Sequence, residues 1–199
     1  MCRLLETIRV DNGTADNLEE HEERVTRAQE ALFGVRSLRP LSELFHNNPP
    51  PDNRLYKWRI LYEKSLISME YQVHTRPNIT SLQIVHLPDV NYHHKYADRD
   101  FLNSARLRVP SGAEPLLVIN GHITDTTFTN LAFHTGSEWI TPVKPLLAGT
   151  RRAALIKQKI IVTASIREEN IFNYLTIRLF NALLPWEEAI ELPISAIRI

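Results

Sequence analysis

Three groups of residues in this chain have the side chains and spacing to do chemistry. His93-His94-Lys95 sits in a polar, aromatic patch. Adjacent histidines on an extended segment point to opposite faces, and no third ligand stands at metal spacing, so no metal site is expected. A lysine such as Lys95 is an ordinary solvated amine unless its surroundings remove its charge, and then it becomes a nucleophile. Asp125 falls within a run of threonines on a β segment, ITDTTFTN, where a carboxylate is unusual. Gly149-Thr150-Arg151-Arg152 opens a helix whose first N–H groups can hold a phosphate.

The elements that must position these groups can be read from hydrophobic period and punctuation. Glu6 to Val10 forms a strand that turns at Asp11-Asn12-Gly13, and Asp16 with Glu19 reads as a capping box. Leu18, His21, Val25, Ala28 and Leu32 make one helical stripe, ended by Gly34. Leu41 to His46 is a second, short helix, followed by the loop NNPPPDN at Asn47 to Asn53. Tyr56, Trp58, Ile60 and Tyr62 alternate with polar residues as a half-buried strand does. Met69 to His74 and Ser81 to Leu87 are further strands, and Asp98 to Arg108 is helical. Asn120-Gly121 turns a hairpin, because both residues tolerate positive φ. Phe128 to Phe133 and Glu138 to Thr141 flank a second Gly turn, and Arg151 to Gln158 is a helix. Ser165 with Glu168 caps another helix, and Ile177 to Ala182 and Ser195 to Ile199 close the fold as strands. The class is α+β. The expected lobes are 1–78, small and α/β, and 79–199, larger, with a β-barrel-like sheet and Lys95.

Composition narrows the function. The 199 residues carry 23 Lys plus Arg against 23 Asp plus Glu, so there is no basic surplus to hold nucleic acid. Cys2 is the lone cysteine, the start MCRLLETIRV has no apolar core of a signal peptide, and no apolar run is long enough to span a bilayer. A soluble, cytoplasmic protein without membrane partners is expected. With only six glycines and neither a G-x-G-x-x-G nor a P-loop, nucleotide-binding folds lose their main support. The Asn-x-Thr triplets at Asn12 and Asn78 are chance matches to a glycosylation sequon.

In their order along the chain these segments resemble the fold type IV pyridoxal-phosphate enzymes, which include the class IV aminotransferases and aminodeoxychorismate lyase. LLETIRVDNG (Leu4 to Gly13) is similar to the family's first strand and turn, and HEERVTRAQEALFG (His21 to Gly34) to its H-x-x-R-L helix. NYHHKYADR (Asn91 to Arg99) is similar to its lysine segment. NGHITDTTFTNLAF (Asn120 to Phe133) resembles G-x-x-[ST]-[ED]-x-[ST]-x-[ST]-N. WITPVKPLLAGTRRAALI (Trp139 to Ile156) resembles TP-x-x-x-x-L-x-G-x-x-R-x-x-L, and LFNALLPW (Leu179 to Trp186) is most like the lyase branch.

The resemblance implies pyridoxal 5′-phosphate as cofactor, with Lys95 as the catalytic Schiff-base lysine. It implies that Asp125, where Glu is usual, faces the pyridinium nitrogen and that Arg24 grips the phosphate. Thr150 and Arg151 would cradle that phosphate, with Asn181 and Ala182 in a second phosphate turn and Asn130 beside the cofactor. Arg59, His74 and Arg76 are candidates for a substrate carboxylate. The chain departs from the pattern in its short small lobe, in Asp100 where some members carry a tyrosine, and in Leu5 where an aromatic faces substrate. Tyr92 and Arg99 are the candidates to replace that tyrosine. The implied function is amino-group transfer on an amino acid. The alternatives are pyruvate elimination from 4-amino-4-deoxychorismate and a degenerate cofactor-binding protein without activity. Members of the family are homodimers.

Overall fold

A computed structural model describes residues 2–199. The chain divides into two compact units, Met1–Thr75 with His94–Asp98, and Arg76–His93 with Arg99–Ile199.

The first unit is a four-stranded antiparallel sheet carrying two helices. Its strands are β1 (Leu4–Asp11), β2 (Thr14–Ala15), β3 (Tyr56–Tyr62) and β4 (Leu66–Val73), in the order β2-β1-β3-β4. β1 turns into β2 at Asn12 and Gly13, both at positive φ, as that hairpin requires. The alternation in β3 buries Tyr56, Trp58, Ile60 and Tyr62 with Leu4, Ile8 and Val10 of β1, and Val25, Ala28, Leu41 and Leu44 of the helices complete this core. The helices are α1 (Leu18–Phe33) and α2 (Leu41–Asn47). Gly34 ends α1 at φ 67°, its N–H bonded to the carbonyl of Glu30.

The capping box expected at Asp16 does not form. Asp16 belongs to the hairpin, its N–H bonded to the Arg9 carbonyl at 2.9 Å and its carboxylate 3.6 Å from Arg9 Nε. α1 starts instead from Asn17, in the left-handed region at φ 51°.

The lysine segment, His94–Asp98, clusters with this unit. Leu5 N–H donates to the Lys95 carbonyl and Ala97 N–H to the Arg3 carbonyl, each at 2.9 Å, with an antiparallel bridge between Leu4 and Tyr96. β2 covers only the far end of β1, at Val10 and Asp11, so the edge at Leu4 and Leu5 is left to bond this segment.

The second unit holds two sheets that curl as a half-barrel. One runs β13 (Ile197–Arg198), β5 (Ser81–Leu87), β6 (Ala113–Ile119), β7 (His122–Ile123). β5 and β6 are parallel, joined through α3 (Asp100–Arg106). The other runs β10 (Val162–Ala164), β9 (Trp139–Pro142), β8 (Asn130–His134), β11 (Thr176–Phe180), β12 (Ile190–Pro193). Leu116, Val118, Leu131, Phe133, Ile177 and Leu179 form the core, and α4 (Thr150–Lys157) follows β9.

Ser165 and Glu168 do not cap an α-helix. Residues 166 and 167 are held extended by Ile123 N–H donating to the Ile166 carbonyl and by a bridge from Arg167 to His122. Only a 3-10 turn, Glu168–Asn173, follows. Residues 194–196 likewise form a 3-10 turn before the two-residue β13.

Candidate active site

In the first unit β1 and α1 bring together Glu6, His21 and Arg24. His21 and Arg24 lie three residues apart on the face of α1 that packs on the sheet. Glu6 is fully buried on β1 and accepts from both. Arg24 makes a bidentate pair, Nε to Oε1 at 2.8 Å and Nη2 to Oε2 at 2.6 Å, and His21 Nδ1 stands 2.6 Å from Oε2. Burial alone would raise the Glu6 carboxyl, but the Arg24 charge and the His21 bond outweigh it and hold the carboxyl at about 2. Burial lowers the His21 imidazole despite Glu6, and the Arg24 and Lys95 charges push the same way. Neutral His21 therefore donates its Nδ1 proton to an ionised Glu6. Burial, and the Glu6 charge after it, raise the Tyr62 hydroxyl.

Lys95 is half-buried, on the segment tied to Leu5. Arg59 stands opposite Thr7 on β1 and loosely pairs with Glu70 of β4 at 3.4 Å. His74 follows β4, its N–H bonded to the Leu55 carbonyl at 3.0 Å.

In the second unit the backbone of Asp125 continues the sheet, Leu117 N–H donating to its carbonyl at 2.9 Å. The residue is only 4% exposed and its carboxylate accepts N–H groups on both oxygens. Asn130 Nδ2 donates to Oδ1 and Leu147 N–H to Oδ2, both at 2.8 Å. Burial pushes this carboxyl up to about 6 despite those bonds and the Arg152 charge. Asn130 Nδ2 also donates to the Leu147 carbonyl at 2.9 Å, and its other face packs on Gly149 so closely that a Cβ there would lie 3.1 Å from Asn130 Cγ and nearer still to Oδ1. Gly149 has an ordinary φ of −69°, so glycine stands there for space and not for conformation.

Gly149 caps α4, whose first turn holds Thr150, Arg151 and Arg152. Thr150 is buried, and the buried Arg152 donates to Thr141 Oγ1 at 3.2 Å and to the Pro142 carbonyl at 2.7 Å, where a surface acid would have been the plainer partner. Asn181 accepts from the N–H groups of Leu183 and Leu184 at 2.7 and 2.9 Å and donates to the Phe128 carbonyl at 3.0 Å, so its side chain builds the turn that carries Ala182. Arg76 is exposed. Asp100 lies in the first turn of α3, Tyr92 packs edge-on against Phe101, and Arg99 donates to the Thr127 carbonyl.

The sequence reading missed two residues. Glu6 was seen only as part of the first strand, although a His and an Arg at i, i+3 inside an apolar stripe require a buried anion. The other is Glu114, 2% exposed on β6, whose only signal is a carboxylate in a strand as apolar as AEPLLVI. Among the described residues no cluster could hold a metal, and no helix is long and apolar enough to cross a membrane.

The fold is that of the class IV aminotransferases, the fold type IV group of aminotransferase- and aminodeoxychorismate lyase-like proteins. A proposed 4-amino-4-deoxychorismate lyase of Haemophilus somnus 129PT matches with a TM-score of 0.85 and 28% identity, over 93% of this chain and 98% of that one. A proposed amino-acid aminotransferase of Mesorhizobium loti matches with a TM-score of 0.82 and 20% identity over the full length of both. A hypothetical aminotransferase of Mycobacterium tuberculosis in its PLP-bound form matches with a TM-score of 0.74 and 15% identity, over 96% of this chain and 80% of that one. No protein-family model matches. The chain belongs to one family with an uncharacterized protein of Haemophilus influenzae (strain ATCC 51907 / DSM 11121 / KW20 / Rd), 31% identical over 185 residues that span 92% of this chain and 98% of its relative.

Proposed function

We propose that this protein is a pyridoxal 5′-phosphate-dependent enzyme acting on the primary amine of an amino acid or amino-chorismate, with Lys95 as its Schiff-base lysine. The observation that carries the reading is Asp125, a buried carboxylate that protein N–H groups fix in place and that burial holds near pKa 6. A protonated pyridine nitrogen would supply a charge to hold it ionised. A carboxylate has about four acceptor sites, so beside the N–H groups of Asn130, Leu147 and Leu146 Asp125 can take one further donor. The first turn of α4, with Thr150 and Arg151, suits a phosphate, as does the guanidinium of Arg24. When bound, the cofactor would supply an electron sink for the carbanion formed at the substrate Cα.

The residues of the chain do the rest. Asp125 would hold a proton on the ring nitrogen, and Asn130 and Leu147 N–H fix its carboxylate in one orientation. Glu6 neutralises Arg24 on one edge and fixes its plane, two of its five N–H groups being committed to the pair. Lys95 would move a proton at the substrate Cα as general base.

Two outcomes follow from that shared start: transfer of the amino group to a 2-oxo acid, or elimination of pyruvate. The 28% identity to the Haemophilus somnus protein and the LFNALLPW segment favour elimination from 4-amino-4-deoxychorismate, and the remaining motifs serve either reaction. Incubation of the cofactor-loaded protein with 4-amino-4-deoxychorismate, and separately with amino acids and 2-oxoglutarate, tests the choice. Pyruvate with 4-aminobenzoate identifies the lyase, and glutamate identifies the transaminase. Neither product, from a protein that binds the cofactor, rejects an enzymatic role. We further propose that the protein works in the cytoplasm as a homodimer, like the family it resembles.

A further inference from the structure

Asp125 and Asn130 meet because the chain reverses between them. Thr126 N–H donates to the Thr129 carbonyl, and Thr129 N–H to Thr126 Oγ1, both at 3.0 Å, so residues 126–129 form a closed turn flanked by the bonded pair. The turn is gripped from outside through Thr127. Glu114 Oε1 accepts from Thr127 N–H at 3.0 Å and from Thr127 Oγ1, while Arg99 Nη2 donates to the Thr127 carbonyl. Every polar group of Thr127 is thereby taken by side chains from β6 and from the start of α3. Glu114 Oε2 faces Arg106 Nε at 3.6 Å, and Asn181 holds the neighbouring Phe128 carbonyl. β6 thus holds the segment twice, by backbone pairing of Leu117 with residues 124 and 125 and by the Glu114 side chain at 127.

We propose that Glu114 is a positioning residue for the Asp125–Asn130 pair, acting through Thr127 and the 126–129 turn, with Arg99 and Arg106 as its counter-charges. A carboxylate at this depth is costly, and a hydrophobic residue would fill β6 equally well. What a carboxylate adds is two acceptor bonds, one to the backbone N–H and one to the hydroxyl of Thr127, that hold the turn. The functional part of this inference rests on the reading of Asp125 as partner of the cofactor nitrogen, and the structural part does not.

The test uses Glu114→Ala, Thr127→Val and Thr127→Ser, with two readouts. The first is hydrogen exchange of the amides of residues 126–129. Glu114→Ala is expected to speed their exchange at least about tenfold, the worth of one lost charge-assisted bond, with a smaller change in Thr127→Val and near wild-type protection in Thr127→Ser. The second is the dissociation constant of pyridoxal 5′-phosphate. It is expected to rise about tenfold in Glu114→Ala and to rise no further when Glu114→Ala is added to Asp125→Asn. Unchanged exchange at 126–129 in both Glu114→Ala and Thr127→Val overturns the positioning role. A loss of affinity that is fully retained in the Asp125→Asn background overturns the route through Asp125. Wild-type protein that binds no cofactor refutes the functional reading and with it the functional part of the inference, while the exchange result still decides the structural part.

Discussion

Replacing Gly149 by Ala isolates the close approach between α4 and Asn130. The backbone there has φ −69°, which alanine adopts freely, so no conformational strain enters. Alanine at such a position gains about 0.4–1 kcal/mol through the unfolded chain and loses a similar amount as a poorer N-cap, so these effects nearly cancel. What remains is the methyl group, which would fall 3.1 Å from Asn130 Cγ and closer still to Oδ1, so Asn130 must move. Movement breaks its bonds to Asp125 Oδ1 and to the Leu147 carbonyl. One is charge-assisted, worth about 1.5–3 kcal/mol, and the other is neutral, worth about 1 kcal/mol. A net loss of about 3 kcal/mol is expected, a fall in Tm of roughly 6–12 °C for a chain of this size. The assay is thermal and urea unfolding of Gly149→Ala, Asn130→Ala and the double variant. In the Asn130→Ala background the second change should be neutral within about 0.5 kcal/mol, since the obstructing amide is gone. A neutral or stabilising Gly149→Ala in the wild-type background would refute the reasoning.

Three further outcomes are expected. Asp125 keeps its proton to about pH 6 when folded against 3.8 otherwise, so ionising it lowers stability by about 3 kcal/mol as pH rises from about 4 to about 6. His21, lowered by burial, titrates with the opposite sign, so the effect is read as the difference in urea stability between wild type and Asp125→Asn across that range; a difference flat with pH would contradict it. Glu6, held at about 2, contributes stability above about pH 4.5 that is lost between there and pH 2, and Glu6→Gln should remove that acid limb. Arg24→Met leaves the buried Glu6 charge without its main partner and should cost about 3–5 kcal/mol in urea, whereas Glu6→Gln with Arg24→Met should cost less than Arg24→Met alone.

Much of the fold was legible because its signals are local. The Asn12-Gly13 and Asn120-Gly121 turns, the Tyr56-to-Tyr62 alternation and the Gly34 stop each state their structure within a few residues. β10 and β12, three and four residues long, are too short to show a period. The caps at Asp16 and Ser165 failed because long-range partners, the Arg9 carbonyl and the His122 strand, claimed the residues around them. The same kind of partner, the open edge of β1, drew Lys95 into the first unit. Of the candidate site, Asp125, Asn130 and the α4 start could be found by motif order, whereas Glu6 and Glu114 bond residues distant in sequence and left only the mark of a charge in an apolar segment.

The most direct measurement is the visible spectrum of the protein with added pyridoxal 5′-phosphate, recorded beside Lys95→Ala and followed by borohydride reduction and mass analysis. The account predicts a band in wild type that the variant lacks, bleached by borohydride, with the reduced cofactor attached at Lys95. A colourless wild type, or a label on another lysine, would contradict it.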